Sequence, residues 1–307
     1  MKYRTPEALG MAVTTAARKS GMDVGHAISG FYFHRLLCRI FSVSDSPFLL
    51  KGGQSMLART PSARATRDID LLSQEENLDK ALSELRRLAS LDLGDFVRFE
   101  FAGSKPIKAE DEYRSGLKVT FVPLLGARKL QPISVDLVID QIPCGEPQVL
   151  TPADRIEVEE VPVFNYKVYP IANSIADKLC GIIEMHNGRP SSRVKDLVDL
   201  LVYATNENLN GNELCHWCRL EARVRGLELP SQFSVPESWR THYSMSFKKL
   251  ARSTELDETL LDLDAAESLV ARVLDPVLSG NAHDHMWNCH LQEWVQVHRG
   301  DSGPTAK

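Results

Sequence analysis

Several things are missing from this chain of 307 residues. No apolar run approaches the length that spans a bilayer, and the opening MKYRTPEALG has no apolar stretch of the signal-peptide kind, so a cytoplasmic protein is expected. There is no Gly-x-Ser-x-Gly elbow to present a serine nucleophile, no Gly-Lys-Ser/Thr of a Walker A loop, and no internal repeat. The six cysteines are too scattered for a disulfide framework and read as reduced thiols. A positive balance is missing too: the net charge of −5 excludes a globally basic nucleic-acid binder. Charge is uneven, however. Residues 216–252 carry seven Lys or Arg against three Glu, while 253–275 carry seven Asp or Glu against Arg272 alone, so a locally basic surface is expected.

What is present points to an α+β protein. Helical periodicity covers 6–20, 24–42 (with Asp23 as N-cap) and 75–90. Short strands are expected at 48–50, 68–72, 96–101, 117–122, 133–139 and 161–168. From Ser174 the chain turns helical as far as Gly188. It continues with a helix capped by Ser191 or Ser192, then with helices at about 209–226, 244–252 and 255–278. Strands and helices first, then a helical half, suggest a catalytic core over 1–170 and a helical C-terminal domain over 171–307. The tail from Gly300 is expected to be disordered.

The most informative stretch is LLKGGQSMLARTPSARATRDIDLLS. Gly52 and Gly53 let the backbone turn sharply and approach a phosphate, and Gln54 to Arg59 reads as the start of a helix whose N–H groups face an anion. In Asp68-Ile69-Asp70 the acids are two apart, so on a strand both carboxylates share one face and Ile69 points to the core. Two adjacent carboxylates repel unless a cation sits between them, which suggests Mg2+ holding a nucleoside triphosphate. Thr66, two residues before Asp68, would face the same pocket if the strand extended that far. Asp136 lies on its own apolar strand, ISVDLVI. If that strand neighbours the first, Asp136 becomes a third acid at the site, the layout that a two-metal centre needs. Lys178 lies early in a helix and could reach a triphosphate as a point charge. Arg193 and Asp196 open the next helix, and Asp196 could hold Lys178 by an ion pair. Cys215-His216-Trp217-Cys218, with His283, His285, Cys289 and His290, offers zinc-type ligands. The first pair falls inside a helical pattern and the second group is irregular, so buried cysteines and surface histidines are expected instead.

The blocks KGG…ART…ATRDIDLL, SVDLV, IADKL and RVKDLVDLL, together with HRLLCRIFS before them, resemble the AbiEii/AbiGii nucleotidyltransferase toxins, a family that includes the MenT toxins of mycobacteria. The likeness covers roughly residues 20–205. It implies a polymerase-β-like nucleotidyltransferase core with a mixed sheet. Mg2+ would sit at Asp68 and Asp70 with Asp136 the less secure third ligand, and the triphosphate at Gly52 and Gly53; Thr66, Lys178 and Arg193 are further candidates for binding the nucleotide. Lys178 would match the family's essential lysine and Asp196 the acid of its last motif. Thr66 stands where many relatives carry Ser. The resemblance further implies a type IV toxin–antitoxin or phage-defence role and a cognate antitoxin protein. The reaction would be transfer of a nucleotide, commonly a pyrimidine, to the 3′ acceptor end of tRNA, blocking translation. The chain is expected to act as a monomer. Two rival readings keep the fold: transfer to a protein or small molecule, and a non-catalytic relative that only binds nucleotide or a partner.

Overall fold

The computed structural model describes residues 3–60, 63, 64, 66, 68–107, 114–186 and 188–297. The expected disordered tail from Gly300 lies outside them. The chain forms two compact units, residues 1–61 with 65–169, and residues 62–64 with 170–307.

The first unit opens with two helices whose starts are written in their caps. Thr5 accepts from Ala8 N–H ahead of α1 (Pro6–Lys19), and Asp23 accepts from His26 N–H at 2.9 Å ahead of α2 (Val24–Ile40). There follow β1 (Phe48–Lys51), α3 (Gly52–Arg59), β2 (Asp68–Ser73) and α4 (Leu78–Ala89). Six further strands complete the unit: β3 (Val97–Pro106), β4 (Arg114–Leu125), β5 (Arg128–Lys129), β6 (Ile133–Asp140), β7 (Gln148–Leu150) and β8 (Tyr166–Val168). They build one eight-stranded mixed sheet in the order β3-β4-β6-β2-β1-β8-β7, with β5 on β4. The β2–β6 and β1–β8 pairs are parallel and the others antiparallel.

Alternation along the central strands separates two faces. Phe48, Leu50, Ile69, Leu71, Val119, Phe121, Val135 and Leu137 join the main core with apolar residues of α1, α2 and α4. The opposite face holds a small apolar cluster, Leu49, Leu72 and Tyr169 backed by Val138, and it carries the acids of β2 and β6. Beneath α2 the fully buried Asp95 binds two arginines of the HRLLCRIFS block: its Oδ1 is 2.6 Å from Arg39 Nη2, and its Oδ2 accepts from Arg35 Nε. Burial pushes the Asp95 carboxyl up, but the hydrogen bonds and charges of Arg39 and Arg35 outweigh it and hold the group below its ordinary value.

The second unit is mainly helical. It contains α5 (Ile171–Ile183), a short hairpin of β9 (Met185–His186) and β10 (Arg189–Pro190), and α6 (Val194–Asn206). Next come β11 (Leu209–Asn210), α7 (Gly211–Val224), α8 (Ser238–His242), α9 (Ser244–Ala251) and α10 (Leu263–Ser279), with β12 (His285–Asn288) and β13 (Glu293–Gln296) last. Two buried tryptophans fix it through their indole N–H groups: Trp239 donates to Ser191 O at 2.6 Å and Trp287 to Ala204 O at 2.8 Å.

The α+β expectation holds, with local corrections. The helix expected from Ser174 to Gly188 starts earlier, after Pro170, and gives way to the β9–β10 hairpin. No side chain caps α6; Ser191 Oγ instead donates to Gly181 O at 2.7 Å and accepts from Arg193 N–H. The helix expected over 255–278 is a 3-10 turn at Glu258–Leu261 followed by α10, because Asp262 caps a new start by accepting from Asp264 and Ala265 N–H. Of the strand expected over 161–168, only β8 pairs. The β12–β13 hairpin was not anticipated: its strands are short, and β12 finds its other partner far back in sequence, at β11.

Candidate functional site

The polar face of the sheet gathers Asp68, Asp70 and Asp136. Asp68 and Asp70 are partly exposed on β2 while Ile69 between them is fully buried. The neighbour of β2 is β6, in parallel register, with Asp136 directly opposite Asp70. The row continues on both sides: Lys51 of β1 opposes Asp70, and Lys118 of β4 opposes Asp136. Paired positions share a face, so the sheet carries a row of Lys51, Asp70, Asp136 and Lys118, with Asp68 one step away. Lys118 Nζ lies 2.6 Å from Asp136 Oδ1 and donates to Ser134 Oγ at 3.4 Å. The hydrogen bond to Asp136 raises the Lys118 ammonium above its ordinary value, and the charges of Asp136, Asp68 and Asp70 add to the effect. Lys51 Nζ is 3.8 Å from Asp140 Oδ2 and 4.1 Å from the centre of the Tyr169 ring.

Gly52 closes this row where β1 turns into α3. Its φ of +64° lies in the left-handed region, and a Cβ there would stand 1.9 Å from Asp70 Oδ2. Both conformation and space therefore demand glycine. The helix starts at Gly52, two residues before the expected position, with Gly53 buried in its first turn and no side-chain N-cap. An uncapped helix start is an end that favours an anion. The helix is anchored by Gln54 Nε2, which donates to Asp154 Oδ2 at 3.0 Å, and by Ala153 N–H, which donates to Ala58 O at 2.9 Å. Thr66 lies before β2 begins, so strand alternation does not extend to it; its hydroxyl donates to Asp68 O at 3.1 Å.

The remaining candidates gather in the second unit, around Lys178. The lysine is buried on α5, and its Nζ lies 2.6 Å from Asp199 Oδ2 and 3.6 Å from Asp196 Oδ1. Both acids are buried on α6, three residues apart and so on one face. Burial alone would lower the Lys178 ammonium, but Asp199 and then Asp196 outweigh it and hold it well above its ordinary value. Asp196 was the expected partner; Asp199 is the closer one. Arg64 grips Asp199 with two hydrogen bonds, of 2.7 and 3.0 Å. Arg193 Nε sits 2.5 Å from Asp196 Oδ2, and the guanidinium packs so closely on Gly181 that a Cβ there would meet it at 2.9 Å. Asp199 and Arg64 were missed as site residues. The spacing of Asp199 from Asp196 was the available signal; Arg64, distant in sequence, gave none.

The basic stretch 216–252 is less basic at the surface than its composition suggests. Arg225 is buried among Asp177, Glu184 and Glu221, and Arg240 is shared by Glu237, Asp264 and Glu267. Arg219, Arg223, Lys248, Lys249 and Arg252 remain exposed. Cys215 and Cys218 are buried in α7, where desolvation pushes both thiols up, and Cys215 Sγ donates to Val277 O. His216, His283 and His290 are exposed. Among the described residues no three His, Cys, Asp or Glu side chains come together as a metal cage, and no helix is long and apolar enough to cross a membrane.

Two solved structures are similar to the chain at low identity. MenT4, a nucleotidyltransferase toxin from Mycobacterium tuberculosis, is 15% identical, with 89% of this chain and 98% of that one covered at a TM-score of 0.48. JHP933 from Helicobacter pylori is 15% identical, with 82% and 95% covered at a TM-score of 0.40. No curated protein matches the sequence. The family model for the nucleotidyl transferase AbiEii toxin of type IV toxin–antitoxin systems matches residues 35–272. That span runs from the arginines of α2, through the glycine turn and the acidic row, past Lys178 and Asp199, and into α10. The chain therefore belongs to the AbiEii nucleotidyltransferase toxin family.

Proposed function

We propose that the protein transfers a nucleoside monophosphate from an NTP to the 3′ acceptor end of tRNA, and so blocks translation until a cognate antitoxin intervenes. The observation that carries the catalytic half of this reading is the contact of Gly52 with Asp70. It places a helix start suited to an anion directly against a carboxylate of an Asp-x-Asp pair.

The donor set fits Mg2+. Asp68 and Asp70 offer hard oxygens on one strand face, and Mg2+ is usually held by one or two carboxylates, with substrate phosphates and waters completing its shell. When bound, the ion would neutralise triphosphate charge and polarise the α-phosphate. The chain's own residues do the rest. Gly52 and Gly53 bring backbone N–H groups to the phosphates, and Asp154 holds Gln54 and thereby α3. Asp136 extends the acidic row beside Lys118. In the second unit, Lys178 is kept charged by Asp199 and Asp196, as a cation that handles phosphate must be. Catalysis of this kind is mostly positioning and charge neutralisation. The family match supports transferase chemistry and an antitoxin partner; the tRNA acceptor, pyrimidine NTP preference, Mg2+ dependence and monomeric, cytoplasmic state belong to our proposal.

Incubating the protein with each labelled NTP, total RNA and Mg2+ tests it. Label at the 3′ end of tRNA, strongest with CTP or UTP, is the expected result. Label on protein would move the acceptor to a protein hydroxyl. No label with any NTP would overturn the reading.

A further inference from the structure

The row across the sheet has a feature that a site for two divalent cations would not need. Asp136 already has a cation. Lys118 Nζ lies 2.6 Å from Asp136 Oδ1, and this oxygen is buried. The pair is set by strand register rather than by a chance side-chain excursion, because Lys118 stands directly opposite Asp136 on the antiparallel neighbour β4. At the other end of the row, Lys51 opposes Asp70 and lies 3.8 Å from Asp140. Asp68, Asp70 and Asp136 thus share the face with Lys51 and Lys118, and a second divalent cation would have to displace Lys118 from a carboxylate to which it is opposed by backbone geometry.

We infer that Lys118 is a built-in cation that takes the place of a second metal ion on the acidic face, so that the chain binds one divalent cation, at Asp68 and Asp70, while Asp136 stays with the lysine. This rests on the nucleotidyltransferase reading of that face. Lys118 acts here as a positioning residue, through the charge it places on Asp136.

The test is a Mn2+ titration of the nucleotide-free full chain, counting bound ions from the loss of the free-ion electron paramagnetic resonance signal. Wild type is expected to bind one ion per chain. Lys118→Met keeps the stem without the charge and should bind two; Lys118→Met with Asp136→Asn should return to one. Lys118→Arg should stay at one, and Asp68→Asn with Asp70→Asn should lose the ion. The Lys118 side chain is 46% exposed, so Lys118→Met should fold, which a thermal melt checks; Lys118→Gln is the second choice. Two ions in wild type, or still one in a folded charge-free variant, overturns the inference and leaves the Asp68/Asp70 site standing. No ion in wild type overturns the inference.

Discussion

At the scale of single residues, the acidic pair and the glycine beside it should be the least tolerant positions. Asp68→Ala and Asp70→Ala are each expected to lower the transfer rate by roughly a thousandfold, a loss of about 4 kcal/mol in transition-state stabilisation, measured on folded protein with labelled NTP. Near wild-type turnover by either variant would remove these residues from the site. Gly52→Ala places a Cβ 1.9 Å from Asp70 Oδ2 on a backbone at φ +64°. The left-handed conformation alone costs about 1–2 kcal/mol, and the Asp70 carboxylate must move as well. Activity should therefore fall far more than urea-melt stability; a variant with normal activity would show that Asp70 can shift without consequence. This pair was legible in sequence because strand alternation and glycine's freedom are local rules. Thr66 shows where such a rule ends: it precedes β2, and its hydroxyl is bonded to the Asp68 carbonyl.

At the scale of elements, buried charges tie helices to their neighbours. Asp199 on α6 takes both Lys178 of α5 and Arg64. Asp199→Ala leaves the buried Lys178 and the partly buried Arg64 without it and should cost about 3–5 kcal/mol. Asp196→Ala should cost less, since Lys178 keeps its nearer partner, and equal losses in chemical denaturation would contradict this order. In the first unit, Asp95 joins α2 to the start of β3, and Asp95→Asn should likewise cost about 3–5 kcal/mol. Its folded-state pKa is depressed, so its contribution is present above the ordinary aspartate value, near 4, and is lost as pH falls through the lower folded value. The gap in stability between wild type and Asp95→Asn should shrink on acidification; a constant gap would mean that the carboxylate charge is not what holds α2. Sequence periodicity found these helices but not their partners, because Asp95 and Arg64 lie far in sequence from the groups they bind.

At the scale of the whole molecule, the chain carries a net charge of −5, so any grip on RNA must come from local cations. Lys248, Lys249 and Arg252 are exposed on and just after α9, whereas Arg240 is shared among three acids. Replacing the first three with Gln should weaken tRNA binding and flatten its dependence on salt by a slope of up to about 3, while Arg240→Gln should change neither; filter binding across salt concentrations separates the two. By itself the sequence determined the helix periods, the cap at Asp23, the shared face of Asp68 and Asp70, and the four-block likeness to a toxin family. All of these are set by residues within a few positions of each other or by short motifs. Only the tertiary structure decided that β6 lies beside β2 with Asp136 against Asp70, that Lys118 rather than solvent meets Asp136, that Asp199 is the nearer partner of Lys178, and that Arg225 is buried among acids. Those outcomes depend on strand order, register and helix packing, where groups tens of residues apart compete for the same partner, and no local pattern encodes which one wins.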